Sequence, residues 1–194
     1  MRYLCIFILT WLTCTHKLFA QKAEPLSKLH VQASVSNPFY VSFPYTWFSI
    51  NPVAFRLQAG ANLYQGELFL AVARNSFTSD SLPDFTSTLF TLGYCLNIPL
   101  HKTVWIKPAI ALGNTYMQFG NIPDLIAYRL HRNESELTFE ASLHVQAKLY
   151  KKLHASLGVS AQRTLLYHNF DVANAAFALT YYFDTPKIIK KIID

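Results

Sequence analysis

A serine becomes a nucleophile when a histidine lies within reach to take its proton and a third group orients that histidine. His154 and Ser156 stand two residues apart, the spacing that puts both side chains on one face of an extended strand. His-x-Ser arises often by chance, and no catalytic residue is assigned from it. The other residues with chemistry to offer are Arg56, Glu67, Lys107, Glu140, His144, Lys148 and His154, scattered singly among small and polar neighbours. An ion taken out of water is costly unless it is paired and hydrogen-bonded. This set therefore reads first as an interior polar network, with His30 beside it, and as a gated pore or proton path second. No metal site and no cofactor is expected. A third group is aromatic: Phe39, Tyr40, Phe43, Tyr45, Trp47 and Phe48 crowd the uncharged stretch from Asn37 to Pro52. Such a stretch belongs at a membrane interface, as an aromatic girdle, or forms a docking surface for a ligand or partner.

The elements that must position these residues show a strict period of two, which sends successive side chains to opposite faces of a strand. It recurs eight times. Leu29, Val31, Ala33 and Val35 oppose His30, Gln32 and Ser34. Phe55, Leu57, Ala59, Ala61 and Leu63 oppose Arg56, Gln58, Gly60 and Asn62. Leu68, Leu70 and Val72 oppose Glu67, Phe69, Ala71 and Ala73, and Phe90 to Ile98 oppose Thr91, Gly93, Cys95 and Asn97. Val104 to Leu112 alternate with Lys107, Ala109, Ala111 and Gly113, interrupted by Pro108, where a bulge or local break is expected. Leu137 to Leu149 alternate with Thr138, Glu140, Ser142, His144, Gln146 and Lys148. Leu153 to Ala161 and Ala173 to Phe183 complete the series.

One face of every segment is apolar and uncharged. The other consists mainly of Gly, Ala, Ser, Thr, Gln and Asn rather than the Lys and Glu of a water-facing strand surface. Small residues suit the crowded interior of a narrow barrel, and a charge-free apolar face suits lipid. Composition agrees, since only 14% of residues are charged and 52% are hydrophobic, against about 25% charged in an ordinary soluble domain. Short connections near 64–66, 99–103 and 150–152 alternate with longer ones near 37–52, 77–87, 115–135 and 164–172. The expected fold is all-β: an eight-stranded antiparallel transmembrane β-barrel with short periplasmic turns, longer extracellular loops and both termini periplasmic. A ten-stranded variant follows if the Asn37–Pro52 stretch forms an extra hairpin and 125–131 also forms one.

Ahead of the barrel, Arg2, the apolar run Tyr3 to Cys14 and the small-residue approach to Ala20 have the layout of a secretory signal. That run is too short for a membrane-spanning helix. The expected division is a signal peptide at 1–20, a barrel at 21–183 and a periplasmic basic amphipathic tail at 184–194. Loss of the signal leaves Cys95 as the lone cysteine, so no intrachain disulfide can form. It also leaves 15 basic against 11 acidic residues, a modest excess without an arginine-rich patch, and no nucleic-acid partner is expected.

At this level the mature sequence resembles the OmpA/OmpX-type small outer-membrane barrels of bacteria. Its last strand, Ala176 to Phe183, is similar to the aromatic-ended signal read by the barrel-assembly machinery, and the Ala20-Gln21 junction is similar to cleavage sites of Bacteroidota. The resemblance implies outer-membrane lipid and lipopolysaccharide as surroundings, that machinery as the partner in insertion, and an envelope or extracellular protein as a further partner. It implies a non-enzymatic structural, adhesive or partner-binding role. Two alternatives stand beside it: a narrow pore for small solutes, and a lipid A-modifying barrel enzyme. For the last, no carboxylate follows His154 and Ser156 where the lipid A deacylases place one.

Overall fold

The computed structural model describes residues 25–42, 49–50, 53–78, 84–120, 133–166 and 169–186. Its strands in chain order are β1 (Lys28–Val41), β2 (Ser49–Ile50), β3 (Ala54–Leu63), β4 (Gly66–Thr78), β5 (Phe85–Leu96), β6 (Ile98–His101), β7 (Val104–Phe119), β8 (Asn133–Tyr150), β9 (Leu153–Thr164) and β10 (Phe170–Asp184). Eight long strands make the wall, hydrogen-bonded in the order β4-β3-β1-β10-β9-β8-β7-β5, and β5 pairs with β4 to close the ring. All these pairings are antiparallel. The two-residue β2 only extends the sheet beside β4, and β6 pairs with the start of β7. The first and last wall strands meet along β1 and β10, so the ring has no open edge and its backbone groups are satisfied without water.

Burial follows the two-residue period. Leu57, Leu143 and Leu179 are exposed on the outside, whereas Thr180 is fully buried inside. A closed barrel whose large apolar side chains point outward, with Ile110 71% exposed, is inside-out for water and suited to lipid. On β8 the uninterrupted outward apolar run goes from Leu137 to Leu149. At about 3.3 Å per residue and a tilt near 40°, that band is roughly 30 Å tall. Above it the outward face turns polar, with Arg74, Asn114, Ser135 and a two-pronged ion pair in which the Arg163 guanidinium donates to both oxygens of Asp171 at 2.8 Å.

The strands run further at the long-loop end than the alternating segments of the sequence reach. β1 continues to Val41, β4 to Thr78 and β7 to Phe119, and β8 begins at Asn133. At the other end the last strand runs through Asp184, one residue past the expected limit. Residues 125–131, one segment of the ten-stranded variant, lie outside the described residues. So do the signal segment 1–20 and the tail from 187.

Pro108 does not bulge or break its own strand. The β7–β8 register passes through Pro108↔Leu143 without a shift. The interruption falls on the other neighbour: pairing with β5 ends at Cys95↔Ala109, pairing with β6 begins at Ile98↔Ile106, and the Asn97 amide turns away to donate to the Gln65 carbonyl. Proline's missing donor thus faces the gap between β5 and β6, where no ladder bond is required of it. The observed register shifts lie elsewhere, between Pro38 and Tyr40, Pro99 and His101, and Lys148 and Tyr150.

Candidate functional site: the barrel interior

Inward side chains fill the lumen in layers. At the long-loop end lies an apolar plug of Val41, Phe77, Phe85, Met117, Phe119, Leu166, Phe170 and Val172. Phe77 stacks on Phe85 at 4.5 Å between ring centroids, and Phe170 meets Phe77 edge-on at 5.4 Å. Most of these residues lie in stretches that read as loops in the sequence. Continuing the alternation past the apparent strand ends would have found those on β4, β5, β7 and β10, but not Val41, which turns inward only after the register shift between Pro38 and Tyr40, nor Leu166, past the end of β9. Beneath the plug the hydroxyls of Thr115, Thr138 and Thr164, from three adjacent strands, bond to one another at 2.6 to 3.4 Å.

The next layer holds Arg56 and Glu140. β3 and β8 are four strands apart in a ring of eight, so this pair spans the full width of the lumen. Arg56 Nη1 donates to both carboxylate oxygens at 2.7 Å, and Nη2 reaches Thr91 Oγ1 at 3.4 Å. Around the pair a polar cavity of about 60 Å³ is lined by Gln58, His144, Ser156 and Ser160, among others. It has room for a few waters.

A second charged layer lies nearer the short turns. Glu67 accepts from Lys107 Nζ at 2.7 Å, Tyr182 OH at 2.9 Å and Asn97 Nδ2 at 3.0 Å. Lys107 also donates to Tyr182 OH at 3.1 Å, and His30 Nδ1 stands 3.6 Å from the Glu67 carboxylate. The same layer continues through Gln146, which donates to Thr180 at 3.3 Å, and Thr180, which donates to Gln32 at 2.9 Å. Both partners of the Lys107–Glu67 pair are buried. That pair satisfies two charges whose isolation would cost several kcal/mol each.

Of the residues expected to form one interior network, the structure joins Arg56 to Glu140 and Lys107 to Glu67 as two separate pairs. His144, Lys148 and His154 are not drawn into either. The Nδ1 atoms of His144 and His154 have no hydrogen-bond partner among the described residues. His154 is instead stacked on Trp105 at 5.3 Å and tilted against Tyr182 at 4.7 Å. Lys148 is exposed at the turn end. Tyr182, Asn97, Gln146 and Thr180, which hold the second layer together, carry no charge to mark them in the sequence. Of the six interface aromatics, Phe39 and Tyr40 stand on β1 and are more than half exposed. Phe43, Tyr45, Trp47 and Phe48 lie outside the described residues.

Glycines make room for the interior rings. Gly158 is the cross-strand partner of His144, and Gly60 that of His30. A methyl group added at Gly158 would overlap both the His144 ring and the Leu143 carbonyl, and one at Gly60 would overlap the His30 ring. Gly158→Ala is therefore expected to destabilise the barrel by about 1–3 kcal/mol through overpacking. Urea unfolding in lipid vesicles, with Gly120→Ala at the long-loop end as the mild control, measures it. Equal stability of the two variants would mean that the ring and strand shift freely.

His154 and Ser156 share the inward face but open into different spaces. Ser156 lines the central cavity, and His154 lines a vestibule at the short-turn end, beyond the Glu67 layer. In that vestibule Lys152 donates to Asp184 at 2.7 Å, a bond that raises the lysine's pKa above its ordinary value.

No protein-family profile and no curated protein sequence matches the chain. Solved structures do. Neisserial surface protein A is similar with a TM-score of 0.63 at 8% identity, over 80% of this chain and 96% of that one. A major outer membrane protein from Thermus thermophilus gives 0.55 at 11% identity, over 80% and 99%. Ail, the attachment invasion locus protein of Yersinia pestis, gives 0.52 at 12% identity, over 80% and 97%. With a closed ring of eight antiparallel strands, an apolar exterior and these structural neighbours, the chain has the fold of the small outer-membrane β-barrels.

Proposed function

We propose that this protein is a non-enzymatic resident of a bacterial outer membrane, with its short turns in the periplasm and its longer loops outside. It acts through its outer surface, in a structural, adhesive or partner-binding role. The observation that carries this reading is the filled lumen. An apolar plug, an ion pair between opposite walls and the Glu67–Lys107 layer succeed one another along the axis, leaving a central cavity of about 60 Å³. Lipid and lipopolysaccharide surround the apolar band, and the aromatic-ended β10 is the strand that the assembly machinery reads on insertion. The strands that rise past the band, with Phe39 and Tyr40 exposed, support a contact surface for an envelope or extracellular protein. The name of Ail, attachment invasion locus protein, belongs to a protein with this fold and agrees with an adhesive role.

Lipid A modification fits less well. Ser156 and His154 face separate spaces, and the Glu67 carboxylate is occupied by Lys107, Tyr182 and Asn97. A pore fits less well because the plug is apolar. Planar-bilayer recording tests the reading. The wild-type protein is expected to give no stable channels, and Glu140→Gln is expected to lower thermal stability without producing ion-selective current. Robust wild-type conductance whose selectivity changes in Glu140→Gln would establish the pore instead.

A further inference from the structure

The vestibule between the short turns has a volume of about 590 Å³, within the range of small-molecule sites. Charge is segregated along the barrel. All the described lysines, Lys28, Lys102, Lys107, Lys148, Lys151 and Lys152, stand at or next to this end, whereas the described arginines, Arg56, Arg74 and Arg163, stand in the other half. The two carboxylates lining the vestibule are already engaged, Glu67 by Lys107 and Asp184 by Lys152. No salt bridge among the described residues engages Lys28, Lys102 or Lys148, and all three line the space. Lys28 and Lys148 share the strand parity of the inward residues His30 and Gln146. Unbalanced cations around a concavity focus a positive field into it. The wall also offers aromatic rings, for Trp105 stacks on His154, which is tilted against Tyr182, and all three line the same space.

From this juxtaposition we propose that the vestibule is a binding site for an anionic saccharide. Its carboxylate or phosphate groups would meet Lys28, Lys102 and Lys148, and the apolar face of a sugar ring would lie against Trp105 or Tyr182. Three cations from separate parts of the rim favour a ligand with more than one negative group. The hydroxyl-rich ring matches a space whose lining includes the amides of Asn62, Gln65, Asn97 and Gln146. The site is independent of whether the lumen conducts, because it lies on the open side of the Glu67 layer.

The test uses the full chain folded in nanodiscs of zwitterionic lipid, with trigalacturonate and glucose 1,6-bisphosphate as anionic probes and maltotriose as the neutral one. Binding is read by calorimetry and by quenching of Trp105 fluorescence in a background where the other two tryptophans are replaced, Trp11→Phe and Trp47→Phe. The anionic probes are expected to bind and quench, the neutral sugar not, and added salt is expected to weaken binding. Lys28→Gln with Lys148→Gln should weaken it by about tenfold, the loss expected for two charge contacts worth under 1 kcal/mol each. The salt titration of the wild-type protein stands as a second test if that variant folds poorly. Equal affinity for maltotriose and trigalacturonate, or anion binding indifferent to salt, overturns the proposal. So does a Trp105 response to phosphatidylglycerol nanodiscs alone, with none to the soluble sugars, since the lysines would then serve lipid headgroups.

Discussion

Glu67→Gln is expected to destabilise the folded barrel by about 3–5 kcal/mol, the cost of leaving a buried ion without its partner. The substitution keeps the shape of the side chain and an oxygen that can still accept from Tyr182 or Asn97. What it removes is the negative charge 2.7 Å from Lys107 Nζ, whose residue is 6% exposed. No other carboxylate among the described residues bonds to that ammonium, and the remaining neighbour, the Tyr182 hydroxyl, is neutral. Equilibrium unfolding by urea in lipid vesicles measures the effect, with Glu67→Leu/Lys107→Met as the informative comparison. Removing both charges together leaves no buried ion unpaired, although Tyr182 and Asn97 lose an acceptor, so the double variant should fold more stably than Glu67→Gln. A Glu67→Gln variant within about 1 kcal/mol of wild type would mean that water reaches Lys107, which would argue against the sealed lumen.

Leu143→Arg is expected to cost about 2–4 kcal/mol, and Leu149→Arg about 0–1 kcal/mol, because the penalty for a cation on the lipid face depends on depth. Both leucines point outward from β8, and both are about half exposed or more in the absence of lipid. They differ in height: Leu143 is the middle of the outward run from Leu137 to Leu149, and Leu149 stands one residue before the strand ends at Tyr150. An arginine at the edge can extend its guanidinium to the headgroups, which one at the midplane cannot do without deforming the bilayer. The same unfolding assay reads both. Equal and negligible penalties would place this face in water and overturn the membrane reading of the barrel.

Much of this architecture was written in the sequence because side-chain parity is a local property. Once a segment is extended, the pleat sends Leu143 to one side and His144 to the other whatever the rest of the chain does. The outward faces, the inward glycines at 60, 93, 113 and 158, and the alternation of short and long connections needed no tertiary information. The length of the strands was less legible. Beyond Thr115 on β7 or before Phe90 on β5 the outward residues become polar where the wall leaves the apolar band. The contrast between faces disappears there although the strands continue, and the plug of Phe77, Phe85, Met117, Phe119 and Phe170 was hidden in those stretches.

Which inward groups meet was decided only by closure. Arg56 and Glu140 are 84 residues apart and face each other because the ring sets β3 opposite β8 at a matching height. Glu67 was open to any of the inward basic residues by type, and it took Lys107 because β4 and β7 flank β5 at a register that sets Glu67 level with Cys95 and Ala109, two residues from Lys107 on the same face. Parity says that a side chain enters the lumen, but the depth at which it enters relative to another strand depends on strand tilt and stagger. Those are properties of the whole closed sheet. The sequence therefore determined what is inside and what is outside. The tertiary structure alone decided that the interior charges are paired off in two buried layers while Lys28, Lys102 and Lys148 at the vestibule are left without a salt bridge among the described residues.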